Sequence, residues 1–152
     1  MANKVIPGKL ILVKIGENFP ACQQDTTLSI TYNVTQEEPC KPDPSESYKG
    51  FSWQTGTTDS ANWEISFTLK ATDANTNNQN SLLNQLINTG NEVEIAFETS
   101  DAQDTGLEYA SVFEGSGLIS SFTWNAPSNG ESTVDVTVTG NGDPSFSAIP
   151  VA

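Results

Sequence analysis

The run Leu82-Leu-Asn-Gln-Leu-Ile-Asn-Thr-Gly-Asn-Glu-Val-Glu-Ile-Ala-Phe-Glu98 changes its hydrophobic period at Gly90. Before the glycine, Leu82, Leu83, Leu86 and Ile87 fall on one stripe of a helix. After it, Val93, Ile95 and Phe97 alternate with Glu92, Glu94, Ala96 and Glu98, the period of a half-buried strand. The spacing predicts a helix over 80–89, with Asn80 as its cap and Gly90 as a left-handed stop. So short a helix is marginal alone and must dock on a sheet.

The period-two pattern recurs on both sides. Leu28, Ile30 and Tyr32 alternate with small polar residues over Thr27 to Asn33. Trp63, Ile65, Phe67 and Leu69 alternate with Glu64, Ser66, Thr68 and Lys70. Leu107 to Phe113 reads as a weaker strand, Leu118 to Trp124 as another, and Val134, Val136 and Val138 mark the last. Leu10 to Ile15 is strand-like without alternation, as expected where both faces are covered. Seven strands on this count predict a mainly β, antiparallel fold. Asn129-Gly130 favours a positive-φ hairpin turn, and Gly115-Ser-Gly117 reads as a second turn between the Phe113 and Leu118 strands. Between strands two and three lies a long loop, 34–61, with Pro39, Pro42 and Pro44 followed by Tyr48, Phe51 and Trp53. A loop of that length is usually functional or disordered, and its aromatics favour a function.

The chain has 152 residues, which fits a single domain, 1–152. Hydrophobic residues make up 36%, and Thr, Ser, Asn and Gln fill the difference. Six lysines, no arginine and nineteen carboxylates leave a net charge of −13. Such a surface repels phosphate, which argues against tight nucleic-acid binding and is compatible with DNA passing without sticking. The opening residues show no signal-peptide core, and no stretch approaches membrane-spanning length. These features predict a soluble chain made in the cytoplasm, with Cys22 and Cys40 unpaired.

Chemistry is sparsely represented. Without histidine there is no Ser-His pair and no imidazole base, so the chain is not expected to be an enzyme. Two cysteines with no histidine do not make a zinc site, and no metal or cofactor is expected. Asp73-Ala-Asn75-Thr-Asn77 starts like a calcium loop, but Asn78 stands where glycine is needed and Asn84 where glutamate is needed. Asp101 to Gly106 lacks the spacing altogether, and Asn33-Val-Thr35 is an idle sequon. Two features remain. Glu92, Glu94 and Glu98 share one strand face, either solvated or lining a channel. Tyr48, Phe51 and Trp53 either fold back on their own domain or anchor a neighbour.

The stretch Glu114-Gly-Ser-Gly-Leu-Ile-Ser-Ser-Phe122, with Pro127, Gly130-Glu131, Val134 to Thr139 and Gly140-Asn-Gly142, resembles the C-terminal half of major tail tube proteins of long-tailed bacteriophages. Gly8-Lys-Leu-Ile-Leu-Val-Lys-Ile-Gly16 resembles their opening. The resemblance implies an antiparallel β-sandwich or partial barrel with one short flanking helix, and a long loop reaching a neighbouring subunit or ring. It implies hexameric rings that stack into a tube with a negative bore for DNA, assembled in the bacterial host cytoplasm and carried in the virion tail. Partners would be further copies, a tape measure protein and tail-end terminator proteins, with no membrane insertion. Carried over, Tyr48, Phe51 and Trp53 lie at an assembly contact. Glu92, Glu94 and Glu98 line the lumen, together with Asp135 on the last strand. Contractile tails, injection systems and type VI secretion tubes share the fold and stay open as alternatives. A secreted immunoglobulin-like adhesin or carbohydrate-binding module is the alternative from another class.

Overall fold

A computed structural model describes residues 5–16, 19–37, 54–73, 78–99 and 106–151. The chain divides into two compact units: residues 1–29 with 63–152, and residues 30–62. The fold is mainly β and antiparallel, with one short helix. Its elements are β1 (Ile11–Ile15), β2 (Gln23–Glu37), β3 (Thr55–Lys70), α1 (Gln79–Asn88), β4 (Glu92–Thr99), β5 (Tyr109–Asn125), β6 (Thr133–Gly140) and β7 (Ser145–Pro150). The sheet runs β1-β4-β5-β6-β3-β2, with β7 pairing β5 outside that path.

In the larger unit the alternating apolar residues meet in one core. Trp63, Ile65, Phe67 and Leu69 of β3 pack with Val134, Val136 and Val138 of β6, Val93 and Ile95 of β4, Val13 of β1 and Leu82 of α1. Ile65, Leu69, Ile95, Val13 and the three β6 valines are fully buried, each stabilising the fold by about 1.5–3 kcal/mol. β1 is short and central to that core at Val13, while its other residues are half-buried.

The predicted turn at Gly115-Ser-Gly117 is absent. Phe113 and Leu118 belong to one strand of seventeen residues, β5. The glycines instead make room for the Trp63 indole. A Cβ on Gly115 would stand 2.9 Å from Trp63 Cζ2, and one on Gly140 of β6 only 2.4 Å from its Cε2. A Cβ on Gly117 would stand 2.5 Å from Val138 Cγ1. The indole thus lies in a trough of backbone, its ring edge-on to Phe113 (centroids 5.3 Å apart) and its Nε1 donating to the Gly142 carbonyl at 3.2 Å.

A register shift between Ile119 and Ser121 corrects the reading of the second half of β5. Leu118 pairs with Thr139, whereas Phe122 and Trp124 pair with Val136 and Val134. A bulge inserts one residue and exchanges the faces, so Leu118 does not share a face with Phe122 and Trp124. Among the described residues the strands again number seven, but differently: two predicted strands merge into β5, and β7, with all six residues exposed, is the one the alternation pattern missed.

α1 begins one residue before the predicted start. Asn78, not Asn80, is the cap: its Oδ1 accepts from the Asn80 amide at 3.1 Å, and the Ser81 hydroxyl accepts from the Asn78 amide at 3.2 Å. Gly90 closes the helix at φ 121°, with its amide donating to the Gln85 carbonyl at 2.9 Å. Ile87, placed on the apolar stripe by spacing, is 74% exposed. Asn129-Gly130 is the β5–β6 turn, with Gly130 at φ 132°.

The smaller unit consists of the far part of β2 and the near part of β3. The span 34–61 is therefore strand at both described ends, to Glu37 and from Thr55. Asn33 Nδ2 donates to Ser60 Oγ at 2.7 Å, and the Thr35 hydroxyl donates to Asp59. Ile30, Tyr32 and Val34 are exposed on alternate positions. Tyr48, Phe51 and Trp53 lie outside the described residues, as does Cys40; Cys22 carries a free, exposed thiol.

Candidate functional site

Register carries the acidic face of β4 across the sheet. Glu92, Glu94 and Glu98 stand opposite Leu118, Ser116 and Val112 of β5, and Ala96 stands opposite Glu114. Leu118 stands opposite Thr139 of β6, which shares its face with Thr137 and Asp135. Asp135 in turn stands opposite Thr68 of β3, beyond which Ser66 and Glu64 alternate with the core residues. By strand pairing, all four predicted carboxylates therefore lie on the face opposite the core.

Two clusters form on that face. In the first, Lys14, Glu94, Glu98, Glu114, Asp143 and Ser145 line a shallow recess. Glu94 Oε1 accepts from the Ser116 hydroxyl at 2.6 Å. Lys14 is the one cation among the described residues that line the recess, and its ammonium also stands 5.8 Å from the Phe19 ring centre. In the second, Asp25, Thr27, Ser66, Thr68, Asp135 and Thr137 line a groove. There Asp135 Oδ1 accepts from Thr68 Oγ1 at 2.9 Å and its Oδ2 accepts from Asn125 Nδ2 at 3.1 Å. Lys70, at the end of β3, donates to Glu131 at 3.0 Å. That hydrogen bond, then the charge of Glu131, raises the lysine above its ordinary value. Glu92 belongs to neither cluster.

Glu114, Asp143 and Asp25 were not singled out in the sequence. Glu114 was hidden by the supposed turn, Asp25 by a strand that starts four residues earlier than the alternation, and Asp143 by the missed β7. Among the described residues no group of three or more Asp, Glu, Cys or His side chains could hold a metal ion. None of the described helices is long and apolar enough to cross a membrane.

The sheet's edges form the second half of the site. β4 covers β5 only as far as Leu118, and β6 covers it from Gly117 to Asn125. Beyond Ile119, which exchanges two bonds with Asn91, the β4 side of β5 carries no strand among the described residues. Among the described residues no strand pairs with the outer side of β2. The four-strand run β5-β6-β3-β2 thus ends in an unpaired edge at either side, each a template for another strand.

No family model matches the sequence, and no curated protein matches it. Solved structures do match. A chain from the virion of a native gene transfer agent particle superposes with a TM-score of 0.68 at 20% identity, over 94% of this chain and 99% of that one. A chain from the sheath/tube terminator of an extracellular contractile injection system gives 0.67 at 14% identity, over 97% and 99%. The tail tube of phage SPP1 gives 0.62 at 8% identity, over 96% and 80%. The chain has a tail tube fold.

Proposed function

We propose that this chain is a structural subunit of a tail tube, in which copies close into hexameric rings and the rings stack. The observation that carries the reading is the four-strand run with both edges unpaired. β2 runs opposite to β3, since Cys22 meets Lys70 while Asn33 meets Ser60. A second copy's β5 can then follow β2 in antiparallel sense, and repetition around an axis closes the sheet and removes its edges. Six-fold symmetry has support in a structural neighbour, the tail of an empty gene transfer agent particle refined with C6 symmetry (TM-score 0.68, 20% identity, covering 94% of this chain and 99% of that one).

The polar face supports a conduit for DNA. Glu92, Glu94, Glu98 and Asp135 are its lumen candidates, and fixed negative charge repels phosphate, so a genome would slide rather than bind. Tyr48, Phe51 and Trp53 are the proposed contacts between subunits or rings. Tape measure and terminator proteins are the proposed further partners, the virion tail the location, and the host cytoplasm the place of assembly. The role is structural rather than catalytic. The contractile injection system among the neighbours supports a second version of the same role, the inner tube of a contractile machine; a sheath gene beside this one separates the two.

The test is direct. Purified protein is concentrated and viewed by electron microscopy; rings or tubes with a central channel are expected. A species that stays monomeric at millimolar concentration, with terminator and tape measure proteins supplied, removes the proposal.

A further inference from the structure

The sequence holds two Asn-Gly pairs, Asn129-Gly130 and Asn141-Gly142, and all four residues are exposed. A glycine nitrogen has no side chain beside it, so it can reach back to the amide of a preceding asparagine. Both glycines sit at positive φ, 132° and 99°. Local sequence therefore does not separate the two pairs, but their hydrogen bonds do.

Asn129 and Gly130 lie in the loop beyond Asn125 and Thr133, the last rung between β5 and β6. Its anchors lie to the C-terminal side: Glu131 holds Lys70 at 3.0 Å, and the Ser132 carbonyl accepts from the Ala71 amide at 3.0 Å. Among the described residues neither the Asn129 side chain nor the Gly130 amide makes a hydrogen bond. An added Cβ on Gly130 would meet only Pro127 Cγ, at 3.8 Å, so the peptide has room to turn. The second pair is held on both sides. The Asn141 amide donates to the Ser116 carbonyl at 2.9 Å, and the Gly142 carbonyl accepts from Trp63 Nε1 at 3.2 Å. Gly140 just before it stands opposite Gly117, and Ser145 just after it stands opposite Glu114.

We propose that Asn129 is a self-modification site, which converts through a succinimide to an acidic residue, and that Asn141 is protected by the fold. The Gly130 nitrogen gives its proton to hydroxide and bonds to Asn129 Cγ. The bond from Cγ to the side-chain nitrogen breaks, and ammonia leaves with a proton from solvent. Water then opens the ring. Attack at Cγ restores the ordinary backbone with an aspartyl side chain; attack at the main-chain carbonyl routes the backbone through Cγ. One water enters, one ammonia departs, and nothing is oxidised or reduced. Ring closure needs rotation about the Asn Cα–C bond. At position 141 that bond lies between two anchored groups, whereas at position 129 it is free. Either product places a new carboxylate two residues from Glu131, which already holds Lys70, and so adds negative charge where β5 gives way to β6. This chemistry is independent of assembly.

The folded, dilute protein and the same chain in concentrated urea are kept in mildly alkaline buffer, and their digests are followed by mass spectrometry. A peptide gains about 1 Da as its amide becomes a carboxyl, and isoaspartyl methyltransferase labels the rerouted backbone. In urea the two pairs should convert at similar rates. In the folded protein position 129 should stay within a few-fold of that rate, while position 141 should lag by about tenfold or more, since it reacts only after local opening. Asn129→Gln, on an exposed side chain, should abolish the early acidic species. An unconverted Asn129 in the folded protein, at a time when the urea sample has reacted, overturns the proposal. Equal rates at the two positions in the folded protein overturn it as well.

Discussion

The side-chain amide of Gln23 hydrogen-bonds both backbone groups of Val13, accepting from its N–H at 2.8 Å and donating to its carbonyl at 2.7 Å. Gly16 donates to the Glu94 carbonyl, so Val13 is one of the β1 residues whose backbone points away from β4. Gln23 therefore supplies what a neighbouring strand would supply. Its Nε2 also reaches the Pro20 carbonyl at 3.0 Å, which fixes the amide in place. β1 is closed at its middle, while among the described residues β2, β7 and the second half of β5 each keep a side with no strand on it.

Replacing Gln23 with Leu should destabilise the fold by about 1–3 kcal/mol, since the Val13 N–H and carbonyl would lose their partner. Exchange of the Val13 amide should quicken well beyond that global loss. Denaturant unfolding and residue-resolved hydrogen exchange read the two effects, and a slow Val13 amide in the variant would contradict the assignment.

Gly140 and Gly142 separate steric crowding from backbone conformation. Gly140→Ala drives a methyl into the Trp63 indole, at a cost of about 1–3 kcal/mol. Gly142 has nothing within 4 Å of an added Cβ but sits at φ 99°, so Gly142→Ala should cost about 1 kcal/mol through φ alone. Near-ultraviolet circular dichroism should change for the first variant and hold for the second.

Asn78 is 1% exposed, caps α1, and its Nδ2 donates to the Thr72 carbonyl and hydroxyl, both at 3.1 Å. Asn78→Ala should cost about 1–3 kcal/mol, a cap and a buried polar partner being lost together. Helix amides over 79–88 should exchange faster while the β3–β6 ladder keeps its protection; uniform acceleration across both would argue against a local role.

On the proposed lumen assignment, reversal of Glu92, Glu94, Glu98 and Asp135 to Lys should leave tubes intact but slow genome ejection, because a bore of opposite sign would hold phosphate. Raised salt should restore much of the rate by screening. Ejection at the ordinary speed would remove these residues from the channel wall.

Local periodicity made β3, β4, β6 and α1 legible, because each presents one apolar face to a shared core. It failed where a residue type serves two ends. Gly115 and Gly117 look like turn residues; their cause, the Trp63 ring, lies far along the chain. β7 shows no sidedness because both of its faces are wet. The bulge in β5 exchanges faces without any mark in the composition. The acidic stripe of β4 was visible in the same way as its core face, whereas Glu114, Asp143 and Asp25 joined it only through strand pairing.

β5 changes partners along its length, holding β4 and β7 by its first half and β6 by its second. A mechanical load along this strand must therefore break several rows of bonds in shear at once rather than unzip them singly. Tension transmitted from one flank to the other passes through this one continuous backbone, which makes it the tie-rod of the fold.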